Sequence, residues 1–211
     1  NRPMLCTHKN YLFLFLILLS SAYINSEDNP FLFIDSNAQK MVKILKEDSD
    51  LFTTDRELYE NKIKEIFEPM IDFRRVAASV MGKKYYLLST TTQREDFVEI
   101  FKDSLLDTYA ETLAQWGDST ISTDFSSLQT SDQIKNIEVK QSLNTGSSNY
   151  PISYKLRKSQ DGWKIINIII NGVNLGLTFR NQFQALAISN NEDIESTINN
   201  WISDAGDAGI S

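Results

Sequence analysis

The chain has a single cysteine, Cys6, and a single histidine, His8. Both lie within the first ten of its 211 residues, and the remainder has neither. A domain built from that remainder has no disulfide, no thiol nucleophile and no histidine base, so Ser-His-Asp triads are excluded. It also lacks cysteine and histidine ligands for a zinc ion. Most of the common hydrolytic mechanisms are therefore excluded, and stability has to come from the hydrophobic core.

The first residues have the features of a secretory leader. Lys9 supplies a weakly basic start, residues 11–19 are all apolar, and residues 20–26 offer small side chains for cleavage. The alternative is a membrane anchor, but an apolar run of nine residues is short of the roughly 17–25 that a spanning helix needs. We predict that residues 1–26 are a signal peptide and that residues 27–211 form one domain located in the periplasm.

Acidic side chains outnumber basic ones, with 28 Asp and Glu against 21 Lys and Arg and a net charge of −7. The basic residues form no stripe along the sequence, so a nucleic acid is not expected as a partner. Tight adsorption of the whole chain to anionic lipid is not expected either, because like charges repel. We expect a monomer.

Helical patterns come first in the chain. The dipeptide Asn29-Pro30 predicts a helix start, because asparagine caps helices and proline suits the first helical position. Thr54 and Thr90 are each followed three residues later by Glu or Gln, which is the capping-box pattern. We predict four successive helices, over residues 30–46, 54–69, 73–82 and 90–115.

Beyond Gly117 the hydrophobic period falls to two, which is typical of strands. Four short strands with tight connections predict an antiparallel meander, and Asn191-Glu192-Asp193 predicts the cap of a final helix. Helices, then a meander, then helices indicate the α+β class, with one curved antiparallel sheet of about four strands packed on one side by helices.

The segment Asp161–Gln184 connects the last strand to a helix. Residues 163–170 are apolar on both faces except for Lys164 and Asn167, which indicates a strand covered on both sides. A helix with large apolar side chains on one face follows the break at Asn171-Gly172. This arrangement can form a wall and the floor of an apolar pocket. The alternative is that these side chains only fill the core.

Candidate catalytic pairs are weak. The carboxylate pairs Asp48/Asp50, Glu95/Asp96 and Asp204/Asp207 all lie in stretches that read as exposed, so none is expected to act as an acid–base pair. The loop Gly172–Gly176 lacks the lysine and hydroxyl residue of a phosphate-binding loop. We predict no catalytic residue, no metal site and no cofactor, and therefore not an enzyme.

The run GWKIINIIINGVNLGLTFRNQF resembles the signature of the MlaC or toluene-tolerance family, the ABC-transporter auxiliary proteins. The resemblance covers nearly all of the predicted domain. It departs from the family at Asn167, where an aspartate is usual, and at Asn171, where a glutamate is common. Other segments that carry it are Asn29-Pro30-Phe31, Ala38-Gln39-Lys40, Thr92-Gln93-Arg94-Glu95, Gly162-Trp163, Gly172-Val173 and Gln182-Phe183.

The resemblance implies a nuclear-transport-factor-like α+β cone that holds a glycerophospholipid by its acyl chains. It further implies a periplasmic carrier that shuttles lipid between an outer-membrane lipoprotein–porin complex and an inner-membrane ABC transporter with its substrate-binding ring. Two alternatives stay open, a carrier of another lipid such as a hopanoid and a non-catalytic interaction module with a solid core.

Thirteen residues are expected to line the lipid pocket. They are selected because they lie on an apolar face of a predicted helix or strand and because of their position in the family: Val80, Tyr85, Phe101, Leu105, Tyr109, Ile152, Tyr154, Ile166, Ile168, Val173, Leu175, Phe179 and Phe183. Three arginines, Arg94, Arg157 and Arg180, could meet a phosphate. Arg94 and Arg180 are the expected headgroup ligands, and solvated surface arginines are the alternative.

Overall fold

The computed structural model describes residues 29–114, 116–126 and 133–203, without the side chains at positions 111 and 112. The predicted signal peptide and the pair Asp204/Asp207 lie outside the described residues. The elements are α1 Pro30–Glu47, α2 Leu51–Thr54, α3 Arg56–Met70, α4 Phe73–Leu88, α5 Thr91–Ala114, β1 Thr120–Thr123, β2 Asn136–Asn144, β3 Asn149–Ser159, β4 Gly162–Ile170, β5 Val173–Asn174, α6 Leu175–Ser189 and α7 Ile194–Asn199.

Two of the predicted helix starts are confirmed in detail. The Asn29 Oδ1 atom accepts hydrogen bonds from the backbone N–H groups of Phe31 at 2.9 Å and Leu32 at 3.2 Å. At the start of α5 the capping box is reciprocal. The Gln93 N–H donates to Thr90 Oγ1 at 3.1 Å, and the Thr90 N–H donates to Gln93 Oε1 at 2.9 Å. The caps of α1 and α5 both satisfy backbone N–H groups that the helices themselves leave unpaired.

The other two predicted boundaries differ. Asp55, not Thr54, caps α3, because its Oδ1 accepts from the Leu58 N–H at 3.1 Å while Thr54 ends the four-residue helix α2. Gly82 does not end α4 but kinks it, with φ 72° and ψ 166°. Glycine tolerates this left-handed φ, and the helix then continues so that Tyr85 is buried.

The sheet is an antiparallel meander in the order β1-β2-β3-β4-β5, with five strands where the sequence predicted about four. The fifth strand is only two residues long and follows a tight turn at Asn171 and Gly172, whose φ values are 49° and 83°. Two consecutive residues with positive φ are typical of the hairpin turn whose twist matches that of the strands.

A β-bulge interrupts the pairing of β3 with β4. Leu156 is paired with Ile165 and Lys155 with Asn167, so Ile166 is an extra residue without a partner on β3. A bulge changes which side chains of a strand share a face. Ile165 and Ile168, three residues apart, consequently both reach the helix-covered side of the sheet.

One side of the sheet packs against helices. Val139, Leu156 and Trp163 form a buried cluster with Phe31 of α1 and Met70 of α3. A second cluster, rich in aromatic rings, joins α4, α5, α6 and α7 away from the sheet. The α+β class and the helix-covered antiparallel sheet predicted from the sequence are therefore confirmed.

An apolar cavity as the candidate functional site

The inner face of the sheet and the helices facing it do not meet completely. They enclose a cavity of about 250 Å³ lined by residues of α1, α3, α4, α5 and α6 and of four strands. None of the described residues that line it carries a charge. The cavity is larger than the roughly 150 Å³ apolar void that accommodates benzene in another protein. The arrangement therefore suits an apolar ligand.

Five of the lining residues carry a polar atom: Asn37, Tyr109, Trp116, Tyr154 and Asn167. The two amides serve the backbone. Asn37 Nδ2 donates to the Phe33 carbonyl at 2.9 Å. Asn167 Oδ1 accepts from the Gly176 N–H at 3.0 Å. These contacts satisfy polar groups that would otherwise be costly to bury.

Asn167 fixes the junction between the sheet and α6. Its Nδ2 atom donates to Asn174 Oδ1 at 2.9 Å, and the same oxygen accepts from the Leu177 N–H at 3.1 Å and so caps α6. Gly176 is required here, because a Cβ atom at that position would lie 2.6 Å from Asn167 Oδ1. The asparagine therefore has a structural role at this junction, and that role needs no ionisable group.

Desolvation dominates the electrostatics around the cavity. Burial raises the pKa of the Tyr154 phenol, because the phenolate would lose its hydration in this apolar setting. Burial likewise raises the pKa of Tyr59 to about 12. Tyr59 packs behind the wall with Leu45 and Ile63, which line the cavity. Both phenols stay neutral at physiological pH, so these walls present no charge to a ligand.

Eight of the thirteen residues expected to line a pocket do line this cavity: Phe101, Leu105, Tyr109, Ile152, Tyr154, Ile168, Leu175 and Phe179. They come from α5, β3, β4 and α6. The structure thus brings together the stripes of two helices and two strands that are far apart in the sequence.

Three of the remaining five lie in the aromatic cluster. Val80, Tyr85 and Phe183 are at most 4% exposed and pack into filled core instead of facing the void. The Phe183 ring centroid lies 4.9 Å from that of Phe97 and 5.8 Å from that of Tyr85. These contacts fill the space between the Phe183 ring and its neighbours with aromatic side chains.

The last two, Ile166 and Val173, also lie outside the cavity lining. Ile166 is the bulge residue, so it does not share the face of Ile168 as a regular strand would require. Val173 lies in the short strand β5 and packs beside Leu143 and Ile170. These five of the thirteen selected residues therefore lie outside the lining of this cavity.

Neither expected headgroup arginine lines the cavity. The Arg94 Nε and Nη2 atoms donate to the carbonyls of Tyr86 at 3.0 Å and Ser89 at 2.8 Å, and its guanidinium lies 4.0 Å from the centroid of the Tyr86 ring. Arg180 donates to the carbonyl and the hydroxyl of Ser79, both at 2.7 Å. These contacts tie α4 to α5 and to α6.

The sequence did not indicate that α1 and α3 would face the void. The stripe of α1 was visible as Ile34, Ala38, Met41, Val42 and Leu45 on one helical face, but nothing local shows what a stripe packs against. The structure adds these residues to the lining, together with Asn37, Ile63, Phe67, Met70, Ile71, Val76, Leu106, Leu113, Trp116, Ile121, Leu143, Ile165, Asn167, Ile170 and Gly176.

Other kinds of site find little support in the described part of the chain. No group of three or more His, Cys, Asp or Glu residues is placed to hold a metal ion there. Asp48 forms an ion pair with Lys62 at 2.7 Å. Within the same ranges, no helix combines the length and apolar character needed to cross a membrane.

A helix-covered antiparallel sheet around an uncharged cavity is an architecture that suits the binding of an apolar ligand. The chain belongs to the MlaC family, since the family model described as MlaC protein matches residues 35–203.

Two relatives extend the comparison. The chain is 26% identical over 175 residues to the toluene tolerance protein ttg2D of Pseudomonas putida, covering 83% of this chain and 80% of that protein. The structure of the phospholipid-binding protein from Ralstonia solanacearum, in complex with a phospholipid, superposes with a TM-score of 0.72 at 22% identity. That match covers 81% of this chain and 93% of the other, and it shows a shared fold.

Proposed function

We propose that the protein is a non-catalytic phospholipid carrier of the periplasm that holds acyl chains in the apolar cavity. The observation that carries the proposal is the uncharged lining, to which eight residues selected from the sequence contribute. The related toluene tolerance protein and the phospholipid-binding protein of the same fold support it.

The physical need for such a carrier is large. Two acyl chains hold roughly 30 methylenes, and exposing them to water costs on the order of 24 kcal/mol at about 0.8 kcal/mol each. An apolar cavity replaces the bilayer as the surroundings of the chains, so transfer into it is close to neutral. The carrier then needs no nucleotide, and any energy input comes from a partner. The proposed partners are an outer-membrane lipoprotein–porin complex and an inner-membrane ABC transporter with its substrate-binding ring.

The volume of the cavity limits how much of a lipid it can hold without a change in shape. At about 250 Å³ it lies just below the roughly 300–1,000 Å³ of most ligand pockets, so two acyl chains require the walls to move apart. Helix α1 is the wall we expect to move, because four of its six residues in the lining, Asn37, Ala38, Met41 and Val42, are only partly buried. Helix α1 packs mainly on α3 and β1. Slower hydrogen exchange of α1 in loaded protein would show this, and identical exchange would refute it.

The test is identification of the bound lipid in protein expressed in a bacterial periplasm. Native mass spectrometry should show a lipid-bound mass, and solvent extraction should yield a phospholipid. A hopanoid in the extract would support the alternative cargo, and a lipid-free mass alone under gentle conditions would contradict the carrier function.

A matched pair of variants connects this test to the cavity. Leu106→Glu places a carboxylate in the lining and should abolish lipid retention, because a charge in an apolar cavity is strongly destabilised. Leu177→Glu makes the same change on α6 at a side chain that is 51% exposed and outside the lining, and should leave retention unchanged. Equal retention in both variants would place the lipid elsewhere.

A further inference from the structure

A second concave surface, here called the basic pocket, lies between the start of α4, the segment before β2 and the end of β3. Its volume is about 450 Å³, and it shares no lining residue with the apolar cavity. Four of its residues are cationic and one is acidic, on a chain whose net charge is −7. The lining residues are Asp72, Arg75, Lys135, Arg157, Lys158, Ser159 and Gln160.

Backbone hydrogen bonds bring three separate segments together to build the basic pocket. The Asp72 N–H donates to the Ile165 carbonyl at 3.0 Å and holds the start of α4 against β4. The Lys158 N–H donates to the Lys135 carbonyl at 2.8 Å and holds the segment before β2 against β3. The fold therefore brings Arg75 and Lys135 to the neighbouring cations Arg157 and Lys158.

The charges of the basic pocket are unbalanced. The carboxylate of Asp72 is engaged by Arg75, whose backbone N–H donates to Oδ1 at 3.0 Å and whose Nε donates to Oδ2 at 3.3 Å. Lys135, Arg157 and Lys158 form no ion pair with an acid of the described ranges. Three positively charged side chains on a single concave surface repel one another, and a bound anion offsets that repulsion.

The donors of the basic pocket fit one class of anion. Guanidinium groups offer paired N–H donors that match the geometry of phosphate oxygens, and lysine ammonium groups add charge with three donors each. The Ser159 hydroxyl and the Gln160 amide add neutral donors. We propose that the basic pocket is an oxyanion-binding site that takes a phosphate group, from a soluble phosphate ester or from a lipid headgroup at a membrane surface.

The experiment compares two charge-matched double variants. Lys135→Gln/Lys158→Gln removes two cations of the basic pocket, and Lys40→Gln/Lys140→Gln removes two exposed lysines outside it. Calorimetry with inorganic phosphate and with glycerol 3-phosphate tests the soluble source. Co-sedimentation with phosphatidylglycerol vesicles, against phosphatidylcholine vesicles, tests the headgroup source.

We expect Lys135→Gln/Lys158→Gln to bind at least about tenfold more weakly than the unmodified protein, in whichever of the two assays the unmodified protein binds. Lys40→Gln/Lys140→Gln should bind as the unmodified protein does. Binding of inorganic phosphate or glycerol 3-phosphate identifies a soluble phosphate as the ligand. Binding only to the anionic vesicles identifies a lipid headgroup. Either result supports the site. No binding in either arm, or equal weakening in both double variants, overturns it. Retention of co-purified lipid, which depends on the apolar cavity, should stay unchanged and keeps this test separate from the proposed carrier function.

Discussion

Replacing Ala38 by phenylalanine tests whether the cavity is a real void. Ala38 lies on α1, is partly buried and lines the cavity. A phenylalanine ring buries about 150 Å² or more, and if roughly half of that meets the lining, about 80 Å² leaves water. At about 25 cal/mol per Å² the lipid-free protein gains about 2 kcal/mol in free energy of unfolding.

A solid core gives the opposite sign. Inserting a ring into filled core typically costs about 1–3 kcal/mol, because side chains and backbone have to shift. The assay is urea unfolding of delipidated protein, with Ala185→Phe at an exposed position of α6 as the matched control. Lipid content after periplasmic expression is measured in parallel and should fall, because the ring occupies the site. Destabilisation of the lipid-free variant together with normal lipid content would refute the reasoning.

Further predictions concern the parts of the fold that position the cavity. Phe183→Ala should lower the free energy of unfolding by about 3–5 kcal/mol in urea titrations, because Phe183 is 0% exposed within filled core; a loss below about 1 kcal/mol would show that the ring faces a void instead. Thr90→Ala should cost about 1 kcal/mol through the lost cap of α5, and Thr91→Ala next to it serves as the control that should cost less. Hydrogen bonds from Lys155 and Ser153 lower the pKa of the Glu138 carboxyl, so its contribution is present above the usual glutamate pKa of about 4.3 and is lost as pH falls through the lowered value. Glu138→Gln should therefore lose less stability than the unmodified protein between pH 5 and about 3, and parallel pH profiles would contradict the assignment.

Local signals predicted much of this fold. The caps at Asn29 and Thr90 are formed by hydrogen bonds between residues two or three apart, so the sequence contains everything that determines them. The alternation in Ile152, Tyr154 and Leu156 likewise indicated a half-buried strand, which β3 confirms. Features that depend on near neighbours are readable without coordinates.

Features that depend on distant partners were not readable. The bulge at Ile166 arises from the pairing of β3 with β4, and no residue near Ile166 marks it, so Ile166 and Ile168 were placed on one face. Similarly, the apolar stripes of α1 and of α4 look alike in the sequence. Only the packing of whole elements makes the α1 stripe line a void and lets Tyr85 pack against Phe183.

The arginines show the same limit for polar groups. Arg94 and Arg180 lie near expected lipid-contacting stripes, but each donates a hydrogen bond to a backbone carbonyl of α4. Arg157, which the sequence offered as a possible phosphate contact but not as an expected headgroup ligand, lies in the basic pocket with Lys135 and Lys158, which come from two different segments of the sheet region. The approach of Arg75 and Lys135 to Arg157 and Lys158 follows from the fold and not from sequence spacing.

The most direct measurement is photocrosslinking with a phospholipid that carries a diazirine in the acyl chain, followed by peptide mapping. The cavity predicts that the modified residues cluster on α1, α5 and β4, at side chains such as Met41, Leu105 and Ile168. Crosslinks confined to exposed apolar side chains such as Leu87, Leu88 and Ile188, with none in the cavity, would contradict the claim that the acyl chains lie inside the protein.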